Sequence, residues 1–70
     1  MSPALRIEIV VNQEGQASKR YITRVADIEP REVKPEELKK LLIKIYPFSG
    51  ISPTEAIRRL NLGEEIGWGD

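Results

Sequence analysis

Carboxylates, serines and arginines are the side chains through which this sequence could do chemistry, because it contains neither cysteine nor histidine. Most soft-metal sites and most nucleophile-base pairs need a thiolate or an imidazole that titrates near neutral pH. The carboxylates Glu14, Glu29, Glu32, Glu36, Glu37, Glu55, Glu64, Glu65 and Asp70 fall in predicted loops, first helical turns or the tail. Charge is solvated there, and no desolvating pocket is implied that would push a carboxyl group into the range of a general acid. A general acid and base pair needs two carboxylates in contrasting environments across a cleft, and nothing in the pattern predicts one. Ser18, Ser49 and Ser52 have no imidazole to activate them. Gly63, Gly67 and Gly69 are spread through the end of the chain with no strand leading into them, so no phosphate-cradling loop is expected. Acidic residues do not alternate as an all-oxygen cation loop requires. The expectation is a protein without catalytic residues, metal or cofactor, in which carboxylates serve as helix caps and solvated charge.

The arginines carry more information once the elements that place them are considered. From Leu5 to Val11 apolar residues alternate, with Leu5, Ile7, Ile9 and Val11 on one side and Arg6, Glu8 and Asn12 on the other. That is the period of a half-buried strand. Asn12-Gln13-Glu14-Gly15-Gln16 follows, with a glycine where a three-residue hairpin loop needs a left-handed residue. Ala17 to Ile28, rich in β-branched and aromatic residues, reads as the return strand. With Gln13, Glu14 and Gly15 as the loop, Ile7 lies opposite Tyr21, Val11 opposite Ala17 and Glu8 opposite Arg20, pairing like with like on one face and opposite charges on the other. One face is then Leu5, Ile7, Ile9, Val11, Tyr21, Thr23 and Val25. The other carries Arg6, Glu8, Asn12, Ser18, Arg20 and Arg24, with Val10 and Ile22 as apolar residues in a polar setting.

Glu29 to Lys34 reads as a connector, Pro30 breaking the strand. Pro35 suits a first helical position, and Glu36 and Glu37 suit the positive end of a helix dipole. Leu38, Leu41, Leu42 and Ile45 form an apolar stripe with Lys39, Lys40 and Lys44 on the wet side, and Pro47 is expected to end this helix near Tyr46. Ser52-Pro53-Thr54-Glu55 then reads as a helix start, with Ser52 as cap, Pro53 as preset first residue and Glu55 placed to reach back to the cap. Ala56, Ile57 and Leu60 point inward, and Gly63 is expected to stop the helix.

Strand, strand, helix, helix predicts an α+β domain spanning residues 1–70, an N-terminal antiparallel β-hairpin whose apolar face is covered by two amphipathic helices. A lone hairpin is marginal and leaves two open edges. Either a third short strand, from Arg31 to Val33 or from the tail, completes the sheet, or a second copy pairs with an edge, and the second option is favoured. With no cysteine for disulfides and so few residues to build a core, a homodimer is expected for stability as well.

Eleven basic and eleven acidic residues give no net charge, which argues against a strong sequence-blind grip on nucleic acid or anionic lipid. No run reaches the roughly 20 apolar residues of a membrane span, and no basic start with an apolar run behind it marks a signal peptide, so a cytoplasmic protein is expected.

The run Gly50-Ile51-Ser52-Pro53-Thr54-Glu55-Ala56-Ile57-Arg58-Arg59-Leu60 resembles the turn and second-helix start of ribbon-helix-helix DNA-binding proteins. The resemblance implies an intertwined dimer, a two-stranded ribbon in the major groove, and the backbone amides after Ser52 holding a phosphate.

Two uses of the surface follow. In the favoured one the chain is a small non-enzymatic adaptor or regulatory module that binds a protein partner through Arg6, Arg20, Ile22 and Arg24 on the outer hairpin face and Ile66 and Trp68 in the tail. In the alternative the same arginines of a ribbon-helix-helix-like repressor contact DNA. For Trp68, folding back to seal the small core is favoured over anchoring a partner.

Overall fold

The computed structural model describes residues 3–25 and 28–69. The long hairpin is formed by β1, Ala4–Val11, and β2, Ala17–Arg24. Its register places Ile7 opposite Tyr21, Glu8 opposite Arg20 and Val11 opposite Ala17, as the alternation requires. The loop closes on Asn12, whose Oδ1 accepts from the amides of Glu14 and Gln16, both at 2.9 Å. Gly15 takes the left-handed conformation there at φ 80°. The return strand ends at Arg24, short of the expected Ile28, and Ala26 and Asp27 lie outside the described residues, as does Asp70.

Each hairpin edge carries a short strand of the same chain, the less favoured of the two expectations for completing the sheet. β3, Arg31–Val33, runs antiparallel to β2, and β4, Ile66–Gly67, runs antiparallel to β1, giving the order β3-β2-β1-β4. The segment around Pro30 is thus only partly a connector. Strands of three and two residues are too short to show a period of their own, so composition could not single them out.

Helix α1 spans Pro35–Ser49 and α2 spans Pro53–Asn61. They cover one face of the sheet, and the core comprises Leu5, Val33, Leu38, Leu42, Ile45, Ala56, Leu60 and Ile66. Thr23, the one buried polar residue among those described, is satisfied by donating to the Ala4 carbonyl at 3.4 Å.

Pro47 does not end α1; it sits inside the last turn. That turn is closed by Gly50, left-handed at φ 70°, whose N–H donates to the Tyr46 carbonyl at 2.9 Å. Pro47 has no N–H to offer the Ile43 carbonyl and its ring crowds that carbonyl, yet the helical conformation runs on to Ser49 and closes at Gly50. At the start of α2, Ser52 Oγ accepts from the Glu55 amide at 3.3 Å as expected. The Glu55 carboxylate turns instead to Arg58 and Arg59. The far end of α2 closes through Gly63 N–H on Leu60 and Glu64 N–H on Arg59, both 3.0 Å, a paired carbonyl cap around a glycine at φ 85°. This cap turns the chain back so that Ile66 meets Leu5 and Trp68 N–H donates to the Pro3 carbonyl at 3.3 Å.

Candidate functional site

Side chains alternate across a sheet, so the outer face takes Arg6, Glu8 and Val10 from β1, Ser18, Arg20, Ile22 and Arg24 from β2, and Glu32 from β3. The arginines expected to form a basic strip do share this face, but each lies beside a carboxylate. Arg6 is 3.7 Å from Glu8, Arg20 is 3.8 Å from Glu32 and Arg24 is 3.5 Å from Glu65. Glu8 was expected to neutralise Arg20; it lies opposite that residue in register yet pairs with Arg6 along its own strand. Glu32 and Glu65 arrive with β3 and the approach to β4, so their contribution depended on the short strands that were the less favoured expectation.

Ile22 and Ile66 are not available as contact residues in this fold. Ile22 is only 8% exposed, because β2 is an inner strand and its neighbours in register are Arg6 and Glu32, whose long stems flank it. Ile66 is 2% exposed and belongs to the core opposite Leu5. Trp68 folds back and packs, partly buried, against the same core.

What Trp68 does form is one wall of an apolar groove of about 420 Å³. Leu41, Lys44, Ile45 and Phe48 line it from α1, Val25 from the end of β2, and Pro3 and Gly69 from the two ends of the chain. Phe48 is 70% exposed. The groove arises because α1 carries more apolar residues than its buried stripe can use: Leu38, Leu42 and Ile45 are buried, while Leu41 and Phe48 fall on the flank beside them. With the helix expected to end near Tyr46, Phe48 was not foreseen as a surface residue on its flank. The usable signal was that Phe48 is three residues beyond Ile45 in a helix that continues through Pro47. On the opposite flank, Ile43, Tyr46 and Pro47 meet Pro53 around a shallower hollow of about 260 Å³.

Charge divides cleanly between the two kinds of basic residue. All the arginines stand within ion-pair distance of a glutamate: Arg31 lies 3.7 Å from Glu37, and Arg58 and Arg59 both bind Glu55. Lys39, Lys40 and Lys44 of α1 have no ion-pair partner among the described residues, and Lys44 lines the groove. Lys44 therefore brings unpaired positive charge to the edge of the apolar groove, while each arginine of the outer sheet face stands beside a carboxylate. Arg58 and Arg59 hold the Glu55 carboxyl at about 2, against an ordinary value of 4.5, chiefly through their hydrogen bonds, and Glu55 raises Arg58 in return. This cluster staples the first turn of α2 to its last and forms no cleft.

Among the described residues no three carboxylates converge as a cation site would need, and no helix is long and apolar enough to cross a membrane. Compared with protein-family models, curated proteins and solved structures, the chain matches none.

Proposed function

We propose that this chain is a non-enzymatic protein-interaction module whose groove between α1 and the C-terminal strand receives an apolar segment bearing acidic residues. One observation carries this reading: Phe48 and Trp68 line an open apolar groove beside Lys44, in a fold whose arginines are all matched with carboxylates. Aromatic side chains flanked by unmatched charge supply both halves of such recognition, burial for affinity and charge for orientation. An adaptor or regulatory role and a cytoplasmic setting belong to the same proposal, the latter because a chain without cysteine takes no stabilisation from oxidising surroundings.

The alternative of a ribbon-helix-helix-like repressor draws support from the Ser52-capped start of α2 and the ribbon shape of the hairpin. It is less favoured because Arg6, Arg20 and Arg24 already face carboxylates, which would have to be displaced or would repel phosphate.

Trp68 is the sole tryptophan, so its emission reports on the groove directly. An amphipathic helical peptide with phenylalanine and leucine on one face and glutamate on the other is expected to shift that emission on titration. The same peptide with lysine for glutamate is expected not to. Phe48→Ala and Lys44→Glu should each weaken the response by roughly tenfold or more. An emission unchanged at millimolar acidic peptide, or a response indifferent to both substitutions, would sink the proposal. Binding of random duplex DNA that falls steeply with salt and is lost in Arg20→Ala would favour the repressor instead.

A further inference from the structure

β4 pairs with β1 only at Ala4 and Leu5, whereas β1 runs on to Val11. In an antiparallel ladder alternate residues of a strand direct their backbone groups to one neighbour, and those between direct them to the other. Asn12 N–H bonds to Gln16 across the hairpin, and Trp68 N–H bonds to Pro3 on the other side. The even-numbered residues of β1 therefore face β2, and the odd ones face the β4 edge. Beyond Leu5 the chain leaves that edge, since the Glu64 amide is committed to Arg59 at the end of α2. Ile7, Ile9 and Val11 thus present backbone donors and acceptors along an open edge, with no hydrogen-bond partner on that side among the described residues. Their side chains share the helix-covered face of the sheet, yet Ile9 is 56% and Val11 61% exposed because the helices do not reach this far.

We infer that this edge pairs antiparallel with the same edge of a second copy, in one register that places Ile9 opposite Ile9 about a twofold axis and Ile7 opposite Val11. In that register each of Ile7, Ile9 and Val11 donates one hydrogen bond and accepts one. The exposed isoleucine and valine side chains of both copies then adjoin on one face. On the other face Arg6 meets Asn12, and Glu8 meets Val10, so no like charges are opposed. Sliding one copy two residues toward its start places Glu8 directly opposite Glu8 and drives Val11 against Leu5, whose edge β4 already occupies. Sliding two residues the other way puts Ile7 opposite Gln13, in the turn. The corresponding free edge on β2 is short and carries Lys19 and Arg20, the kind of charged edge that resists pairing. A second copy is thus the occupant that satisfies the backbone, the apolar face and the charge pattern together, independently of what the groove at Trp68 binds.

The twofold makes the test specific. Light scattering over a concentration series should show a mass rising from 8.0 kDa toward twice that value for the unmodified chain. Ile9→Lys and Ile9→Glu each place like charges against one another at the axis and remove two apolar side chains. Each alone should weaken dimerisation by on the order of 100-fold. Mixed in equal amounts, the two variants should form a heterodimer, because lysine then faces glutamate. Far-UV circular dichroism establishes that both variants keep the fold, as expected for a side chain that is largely exposed. A mass fixed at 8.0 kDa up to millimolar concentration would overturn the inference. So would folded variants that dimerise as well as the parent, or a mixture no more associated than its components.

Discussion

Glu55 shows how much one side chain does when its position in a helix is fixed. As the third residue of α2 it lies one turn from both Arg58 and Arg59, which bind its carboxylate through their Nε atoms at 2.9 and 3.1 Å. These bonds favour the charged form, so its carboxyl titrates at about 2 in the fold against 4.5 without them. A carboxylate depressed by folding adds stability that is fully present above its unfolded value and is lost as pH falls through its folded one. The window for Glu55 is therefore pH 4.5 down to about 2. Glu55→Gln should lower the melting temperature at pH 7, with the gap to the parent closing across that window, as thermal unfolding at a series of pH values would show. A gap that stays constant from pH 7 to pH 2 would mean that the arginine bonds contribute nothing. Sequence spacing placed Glu55 in a capping box, and the serine half of that box is present. The glutamate half lost to two guanidinium groups, which offer a charged partner where the cap offers one amide.

At the scale of elements, backbone conformation at one glycine decides where α1 ends. Gly50 sits at φ 70°, where an alanine is strained, and a Cβ added there would meet nothing within 4 Å. The cost of Gly50→Ala is thus conformational alone and should amount to about 1 kcal/mol in urea unfolding. Gly50→Asn should cost less, since asparagine tolerates the left-handed region. Equal losses for alanine and asparagine would point to a side-chain clash instead. The hairpin was legible in the sequence down to each cross-strand pair, because a period of two excludes a one-residue slip and the turn at Gly15 selects among the registers that remain. The end of α1 was not, because the steric bias a proline exerts on the residue before it yields when a glycine a few residues on can close the last turn. That misreading had a consequence for the candidate site: with the helix stopped at Tyr46, Phe48 had no helical flank to occupy and the groove it lines could not be foreseen.

For the whole molecule, the C-terminal segment is where fold and proposed site meet. Ile66 is fully packed against Leu5, and two residues later Trp68 walls the groove, so the strand that completes the core also positions the aromatic surface. These seven tail residues have no period of their own, so Ile66 was expected at a partner contact although it lies in the core, while Trp68 was expected to fold back on the core, as it does. A two-residue strand is specified by what it docks on and not by its own pattern. A domain of this size has a total stability of roughly 4–10 kcal/mol, and Ile66→Ala should remove about 2–4 kcal/mol of it through lost burial and the cavity left behind. The loss should be global. Trp68 emission and far-UV circular dichroism should report one coincident transition in both the parent and Ile66→Ala, because the tail cannot leave without exposing Leu5. An emission change that precedes the loss of secondary structure would instead make the tail a separable strap, and the groove a feature of only part of the folded population.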